Sequence, residues 1–173
     1  MSKDEYYLGI ALAVAKKSTC LKRHYGCVIV KNDIIIATGY NGNPRGEDNC
    51  CETGQCKRPD AARYEEYEKC NAVHAEQNAL IAAAGEDLIM STVYLACEEH
   101  KDICPMNGKE CNTNKCSNVM WCPGITNGWI EDKNPVPCNI CMNMLKNARV
   151  CYVINAKSAS EGDTIYSMTR VTT

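Results

Sequence analysis

A membrane-spanning helix needs roughly 18 or more consecutive apolar residues, and this sequence has no such run. It also has no low-complexity tract, no internal repeat and no strong excess of one charge, since the formal net charge is −2. No membrane span is therefore predicted. A broad basic surface for long nucleic acids is not expected either, and a small-molecule substrate fits this charge better.

A secretory leader is not evident. The apolar run Leu8–Ala15 is short, and Lys3, Asp4 and Glu5 before it mix charges instead of forming a basic segment. We therefore expect a cytoplasmic protein. In a reducing compartment the 14 cysteines are expected to be free or to bind metal, not to form disulfides.

Hydrophobic periodicity predicts alternating helices and strands. Helices are predicted at 4–17, 75–84 and 138–148, with a short helix near 61–68. Strands are predicted at 25–30, 34–40, 91–97, 149–154 and 164–171, with a hairpin turn at 31–33. This order predicts an α/β fold in which a mixed central sheet carries helices on both faces.

The length of 173 residues fits one domain, residues 1–173. Within it, the stretch at about 98–136 has cysteines and glycines but little periodicity. A loop of that length is unusual in a compact domain unless something ties it down. We therefore predict a cysteine-rich insertion at this place.

Two short motifs indicate a metal site. His74 precedes Glu76 at the start of one predicted helix, and Pro137 precedes Cys138 and Cys141 at the start of another. Cysteines at i and i+3 lie on one face of a helical turn, so both sulfurs can reach one ion. His74 would be the third ligand, which leaves the fourth tetrahedral position of a catalytic zinc for water.

Glu76 is the candidate catalytic residue of this site. A carboxylate two residues past a ligand can lie beside the metal-bound water without ligating, and can carry protons between that water and a substrate. The two motifs together match H-x-E followed by P-C-x-x-C, the signature of zinc nucleobase deaminases. The alternative is a closed structural zinc site in which Glu76 is a solvated helix residue.

Three segments carry a wider resemblance, 25–30 (YGCVIV), 37–44 (ATGYNGNP) and 74–80 (HAEQNAL). Together with Cys20, they are similar to the bacterial and phage deoxycytidylate deaminases, and the resemblance covers residues 1–97 and 137–154. It implies a three-layer α/β/α cytidine deaminase-like fold. It also implies zinc-dependent hydrolytic deamination of dCMP to dUMP with release of ammonia, and a homo-oligomer, often a hexamer.

The same resemblance suggests further binding residues. Asn41 is expected to contact the sugar or the base, and Ala75 is placed with it among the substrate-binding residues. Many members of the family are regulated by dCTP and dTTP with magnesium, for which the loop Gly42–Gly46 is the candidate place.

A second, structural zinc is also implied by the resemblance. Its expected ligands are Cys20, Cys51, Cys56 and Cys70, with Cys50 as a possible replacement for Cys51. Four thiolates would close such a site and pin a long polar loop against the catalytic helix. The alternative is a set of free thiols.

A third group of cysteines lies in or beside the insertion. Its members are Cys97, Cys104, Cys111, Cys116 and Cys122. Their spacing matches no tight zinc site, so another structural metal, with His100 as a further ligand, and an exposed loop of reduced thiols stay equally open. The insertion precedes the catalytic cysteines, where it could cover the pocket and change which nucleotide fits.

Lys22, Arg23 and Arg45 are the candidate contacts for a substrate phosphate, although each alone is more often a solvated surface charge. Two other functions were weighed. One keeps the chemistry but changes the substrate to cytidine, dCTP, guanine or a tRNA adenosine. The other is a non-catalytic, zinc-stabilised binding module, against which the carboxylate of Glu76 argues.

Overall fold

A computed structural model describes residues 1–58, 66–103, 126–131, 135–157 and 165–171. The helices in these ranges are α1 (Lys3–Ala15), α2 (Cys50–Thr53), α3 (Ala75–Ala82) and α4 (Asn139–Asn147), with a 3-10 turn at Tyr67–Lys69. The strands are β1 (Arg23–Lys31), β2 (Ile34–Tyr40), β3 (Thr92–Ile103), β4 (Thr126–Glu131), β5 (Tyr152–Lys157) and β6 (Ile165–Arg170). None of these helices has the length and hydropathy that crossing a bilayer requires.

The strands form one mixed sheet in the order β2-β1-β3-β5-β6, with β4 paired to β3 alone. β3 and β5 are parallel, and the other pairs are antiparallel. Parallel neighbours need a crossover connection, and the connection from β3 to β5 contains α4. The predicted mixed sheet is confirmed.

Helices cover both faces of this sheet, as predicted. α1 packs on one face, where Tyr7 and Ala11 contact alternate residues of β1, Val28 and Val30. α3 and α4 share the opposite face with the intervening residues of β1, Cys27 and Ile29, in a separate core cluster. Successive residues of a strand point to opposite faces, so β1 contributes to both clusters and is buried on both sides.

Two glycines allow the helices to approach the sheet closely. A Cβ at Gly26 would lie 1.9 Å from the carbonyl oxygen of Ala11 in α1. A Cβ at Gly39 would lie 2.3 Å from both the carbonyl oxygen of Ala75 and the backbone nitrogen of Ala79 in α3. Because these contacts are with backbone, a side chain at either glycine would push a whole helix away from the sheet.

The β1–β2 hairpin turns at Asn32 and Asp33, whose φ angles are +50° and +67°. Two positive φ angles define the turn that matches the twist of a two-residue hairpin, and Asn and Asp tolerate this backbone well. Asp33 also accepts a hydrogen bond from the Tyr7 hydroxyl at 3.0 Å, which ties the turn to α1. The hairpin predicted at residues 31–33 is confirmed.

The structure differs from the predicted elements at β3, β4, β5 and α2. No strand was predicted at β4, within the insertion, and β5 lies three residues further along the chain than predicted. β3 continues to Ile103, past its predicted end at Cys97, because residues 98–103 pair with β4. A pairing partner so far along the chain leaves no local periodicity, which is why no strand was predicted there. The short helix Cys50–Thr53 was not predicted, and most of the helix predicted near 61–68 lies outside the described residues.

Replacement of the close-approach glycines is expected to destabilise the protein. Gly39→Ala should lower the free energy of unfolding by about 2–3 kcal/mol or more, because its Cβ overpacks against the backbone of α3. Gly9→Ala is the matched control, since its Cβ meets nothing within 4 Å. Alanine at this position in α1 should be neutral or stabilise by up to about 1 kcal/mol. Urea denaturation measures both changes, and equal stabilities would contradict the packing described.

Candidate metal centre and active site

Three side chains from two separate segments converge at one point. The Nδ1 atom of His74 lies 3.5 Å from the sulfur of Cys138 and 3.3 Å from the sulfur of Cys141. Within the described part of the chain, these three form the group whose ligand atoms all lie within 4.8 Å of one another. The structure therefore brings together the three residues that the sequence analysis selected as ligands.

Both segments present their ligands from the start of a helix. His74 is the residue before α3 and Cys138 is the residue before α4, and both have extended backbones, with ψ angles of 156° and 165°. The sulfur of Cys138 accepts the backbone N–H of Cys141 at 3.5 Å, one turn into α4. Unpaired N–H groups and the helix dipole make each helix start positive, which favours thiolate over thiol.

The geometry and the donor set fit zinc. Zn–S bonds of about 2.3 Å and Zn–N bonds of about 2.1 Å in a tetrahedron place sulfur and nitrogen ~3.6 Å apart. The two nitrogen–sulfur separations here are 3.3 and 3.5 Å. One imidazole and two thiolates suit zinc chemically, and three protein ligands leave a fourth position open, as in catalytic zinc sites.

Contacts among the three side chains of this cluster shift their pKa values. Hydrogen bonds from Cys141 and with His74 lower the pKa of the Cys138 thiol to about 4. The bond to Cys138, followed by burial, raises the pKa of Cys141 well above that of an ordinary thiol. The contact with Cys138 also raises the pKa of His74. A cation at this point would replace those protons, because zinc binds thiolates and a neutral imidazole.

Glu76 lies beside this cluster and is 4 % exposed. Burial raises the pKa of its carboxyl, although hydrogen bonds from its own backbone N–H and from Cys141 and the charge of His74 oppose the shift. A carboxyl group with a raised pKa can both accept and return a proton near neutral pH, which is the property that general acid–base catalysis requires.

Backbone contacts fix the start of α3. Gly42 and Val73 exchange two backbone hydrogen bonds of 2.8 and 3.2 Å, which hold the chain directly before His74. The side chain of Asn78 donates to the carbonyl oxygen of Tyr40 at 2.8 Å and ties α3 to the end of β2. These residues were not predicted to support the site, since each depends on a partner distant in sequence.

Asn41 is buried, and both polar atoms of its side chain contact β1. Its Oδ1 accepts the backbone N–H of Tyr25 at 2.7 Å, and its Nδ2 donates to the carbonyl oxygen of Arg23 at 3.0 Å. Its carbonyl oxygen accepts the hydroxyl of Ser18 at 2.8 Å. Asn41 therefore joins the end of β2 to the start of β1, whatever contact it makes with a substrate.

The other predicted substrate contacts lie in different surroundings. Ala75 is fully buried at the start of α3 and packs into the core. Lys22 is half-buried, and its ammonium group donates to the carbonyl oxygen of Arg58 at 3.0 Å. Arg23 is half-buried at the start of β1, whereas Arg45 is exposed.

A cavity of about 470 Å³ is lined by four cysteines, namely Cys20, Cys50, Cys56 and Cys70. Cys51, which the sequence analysis preferred over Cys50, is exposed. Burial raises the pKa of Cys50, and the nearby Cys20, Cys56 and Cys70 raise it further. The helix α2 therefore turns Cys50 toward the other three cysteines and Cys51 toward solvent.

None of the ten cysteines that the structure describes forms a disulfide. Cys97, assigned to the third group, is fully buried in β3, where its thiol donates to the carbonyl oxygen of Glu98 at 3.5 Å. Cys104, Cys111, Cys116 and Cys122 lie outside the described residues.

Comparison with known proteins assigns the family. A family model described as the cytidine and deoxycytidylate deaminase zinc-binding region matches residues 1–157. The chain belongs to this family. Membership accounts for the His74, Cys138 and Cys141 cluster and for the helices on both faces of a mixed sheet, and it agrees with the resemblance seen in the sequence.

Individual relatives within the cytidine and deoxycytidylate deaminase family carry the narrower name. The deoxycytidylate deaminase of Schizosaccharomyces pombe is 43% identical over 106 residues, which are 60% of this chain and 31% of that protein. The deoxycytidylate deaminase of Mycobacterium phage D29 is 42% identical over 102 residues, 55% of this chain and 77% of that protein. The match thus spans about a third of the yeast relative and most of the phage relative.

Solved structures of the family show the same fold. The dCMP deaminase of the cyanophage S-TIM5, in complex with dCMP and dUMP, aligns with a TM-score of 0.55 at 22% identity. The alignment covers 92% of this chain and 85% of that one. The predicted cytidine deaminase-like α/β fold is confirmed.

Proposed function

We propose that this protein is a zinc-dependent dCMP deaminase, which hydrolyses dCMP to dUMP and ammonia. The observation that carries the proposal is the convergence of His74, Cys138 and Cys141 beside the buried carboxyl of Glu76. Three ligands with an adjacent carboxyl group are better suited to activating water than to forming a closed structural site. The choice of dCMP is supported by relatives at 43% and 42% identity, both deoxycytidylate deaminases.

In this proposal His74, Cys138 and Cys141 would hold a zinc ion, which when bound would act as a Lewis acid and make water more acidic. Glu76 takes a proton from the attacking water and delivers it to the ring nitrogen of the cytosine. Glu76 then takes the proton of the hydroxyl group now bonded to the ring carbon and transfers it to the amine, so that the carbon–nitrogen bond breaks, ammonia leaves and the oxygen stays as the new carbonyl of dUMP. Its burial suits both steps, because burial raises the pKa of the carboxyl and so helps it to hold a proton between accepting and returning it.

We assign the substrate contacts as follows. Ala75 offers its backbone N–H, one of the unpaired amides of the first turn of α3, to the substrate. Asn41 faces the sugar or base with the hydrogen-bonding capacity that its contacts with β1 leave unused. Arg23, with Lys22 and Arg45, supplies positive charge for the 5′-phosphate.

The two alternative functions are less well supported. A tRNA adenosine deaminase would bind a long polyanion, yet the net charge is −2. A non-catalytic zinc module would not need a carboxyl group buried beside the metal at a cost in stability. Cytidine, dCTP and guanine stay as competing substrates, and the parallel assay below distinguishes them.

We also propose a structural zinc held by Cys20, Cys50, Cys56 and Cys70. Backbone N–H groups two residues further on donate to two of these sulfurs, that of Lys22 to Cys20 and that of Arg58 to Cys56, both at 3.4 Å. Such bonds stabilise thiolates. Because the four side chains line one cavity, an ion would draw them together and close the loop.

The remaining expectations rest on the resemblance to the deoxycytidylate deaminases. We propose a homo-oligomer, a hexamer by that resemblance, and a cytoplasmic location. We further propose that magnesium and a regulatory nucleotide bind near Gly42–Gly46, which borders the same cavity as the four cysteines.

Replacement of Glu76 tests the reaction. Glu76→Gln is expected to retain zinc and fold but to lower kcat for dCMP by roughly three orders of magnitude, because proton transfer is lost. Glu86→Gln, an exposed residue just after α3, should keep full activity. Ammonia release is measured in parallel for dCMP, dCTP, cytidine, deoxycytidine, guanine and adenosine. Unchanged turnover in Glu76→Gln would refute the role of Glu76, and preference for another substrate would refute dCMP.

Replacement of Arg23 tests phosphate recognition. Loss of a charge-assisted hydrogen bond worth about 1.5–3 kcal/mol should raise KM for dCMP roughly 10- to 100-fold. KM for deoxycytidine, which has no phosphate, should stay nearly constant. Arg170→Ala, at an exposed arginine of β6, serves as the control. Equal effects of Arg23→Ala on both substrates would remove Arg23 from phosphate binding.

The adjacent cysteines of α2 allow a matched test of the structural zinc. Cys50→Ser should lower the zinc content from about two ions per chain to about one, because a closed site needs its fourth thiolate. Cys51→Ser should retain both ions, since Cys51 is exposed. Atomic absorption on purified protein measures the content. A wild-type protein with a single zinc would contradict the second site, and loss of zinc in Cys51→Ser would make Cys51 the ligand.

A further inference from the structure

We infer that Gln77 is a positioning residue that aligns the two helices on which the metal ligands lie. This inference rests on the proposed function, because it concerns the site formed by His74, Cys138 and Cys141. The side-chain amide of Gln77 makes one hydrogen bond back to the start of α3 and one across to α4.

The first hydrogen bond orients His74. The Oε1 atom of Gln77 accepts the backbone N–H of His74 at 2.9 Å, one turn before it in the chain. A residue directly before a helix lies outside the regular hydrogen-bonding pattern, and its N–H needs a separate partner. By supplying that partner, Gln77 holds the extended backbone from which the imidazole reaches the two sulfurs.

The second hydrogen bond reaches the cysteine helix. The Nε2 atom of Gln77 donates to the sulfur of Met144 in α4 at 3.6 Å. Met144 lies three residues after Cys141, so both occupy the same face of α4, one turn apart. The side-chain amide of Gln77 therefore connects α3 with α4. The connection lies one turn after His74 on one side and one turn after Cys141 on the other.

Two contacts one turn apart restrict the helices more than one contact does. If α3 and α4 met only at the ligand cluster, each could still rotate about that point, and the sulfur–nitrogen distances would vary. Apolar packing of Leu145, which is fully buried, also holds α4 on the sheet, but such packing has no direction. A hydrogen bond is directional, so the Gln77–Met144 contact selects one rotation.

This arrangement predicts an effect on the metal rather than on substrate binding. Loss of a residue that hydrogen-bonds to a metal ligand typically lowers metal affinity by about 10- to 100-fold. Gln77→Leu replaces the amide with an apolar side chain of similar size and so loses both hydrogen bonds, and we expect its zinc affinity to fall about tenfold. kcat should fall with it, whereas KM for dCMP should stay within about twofold of wild type.

Met144→Leu isolates the link between the helices. It keeps the apolar volume and removes the sulfur acceptor, so the zinc affinity should fall about threefold. Met142→Leu is the matched control, since Met142 lies on the same helix and packs against the core, whereas the amide of Gln77 bonds to Met144. Met142→Leu should bind zinc as the wild type does.

The measurements are chelator competition for zinc and the visible spectrum of the cobalt-substituted protein, in which a distorted tetrahedral site shows weaker and shifted d–d bands. The zinc ion that the wild type binds and His74→Ala does not is the one at the catalytic site. Comparing these two proteins therefore distinguishes that ion from any other bound zinc. A double variant, Gln77→Leu with Met144→Leu, should cost less affinity than the two single variants together, because they remove one shared contact.

The outcomes are distinguishable. Wild-type affinity and an unchanged cobalt spectrum in Gln77→Leu would overturn the inference, and so would a lower melting temperature of the metal-free protein without any change at the metal. Fully additive losses in the double variant would overturn the link to Met144. If Gln77→Leu fails to fold, the zinc affinities of Met144→Leu and Met142→Leu are compared instead, and equal affinities would overturn the inference. Failure of the wild type to bind metal through His74 would instead refute the proposed function.

Discussion

The meeting of two helix starts is the constraint on which the rest of this structure depends. His74 and Cys138 directly precede α3 and α4, and the two helix starts face one another closely enough for an imidazole nitrogen to lie 3.3 and 3.5 Å from two sulfurs. Elements far apart in the chain must hold that approach. Gly39 lets α3 lie directly on β2, and the parallel pairing of β3 with β5 requires the crossover in which α4 lies.

The same arrangement explains why a carboxyl group can be kept buried at the site. Glu76 is 4 % exposed, and its isolation in an apolar core would be unfavourable. The positive start of α3, its own backbone N–H and the thiol of Cys141 partly compensate. The fold thus tolerates a destabilising group where the proposed function requires proton transfer, a compromise that is characteristic of catalytic sites.

Support around the site comes from amide side chains that connect distant segments. Asn41 joins the end of β2 to the start of β1, Asn78 joins α3 to the end of β2, and Gln77 joins α3 to α4. The sequence marks Asn41 within a recognisable motif, but it shows no pairing for any of these amides. Their hydrogen bonds form only after the sheet and helices have assembled, so no local pattern reveals them.

Local patterns were sufficient for α1, α3 and α4, for most of the strands and for the three side chains that converge as candidate metal ligands. Periodicity reports which face of an element is buried, and the spacing of Cys138 and Cys141 reports that both share one helical turn. What only the tertiary structure decided is how these pieces meet. The rotation of α2 places Cys50 in the lining of the cysteine-rich cavity and leaves its neighbour Cys51 exposed. The extension of β3 to Ile103 depends on a strand distant in the chain, because pairing between distant segments leaves no trace in either segment alone.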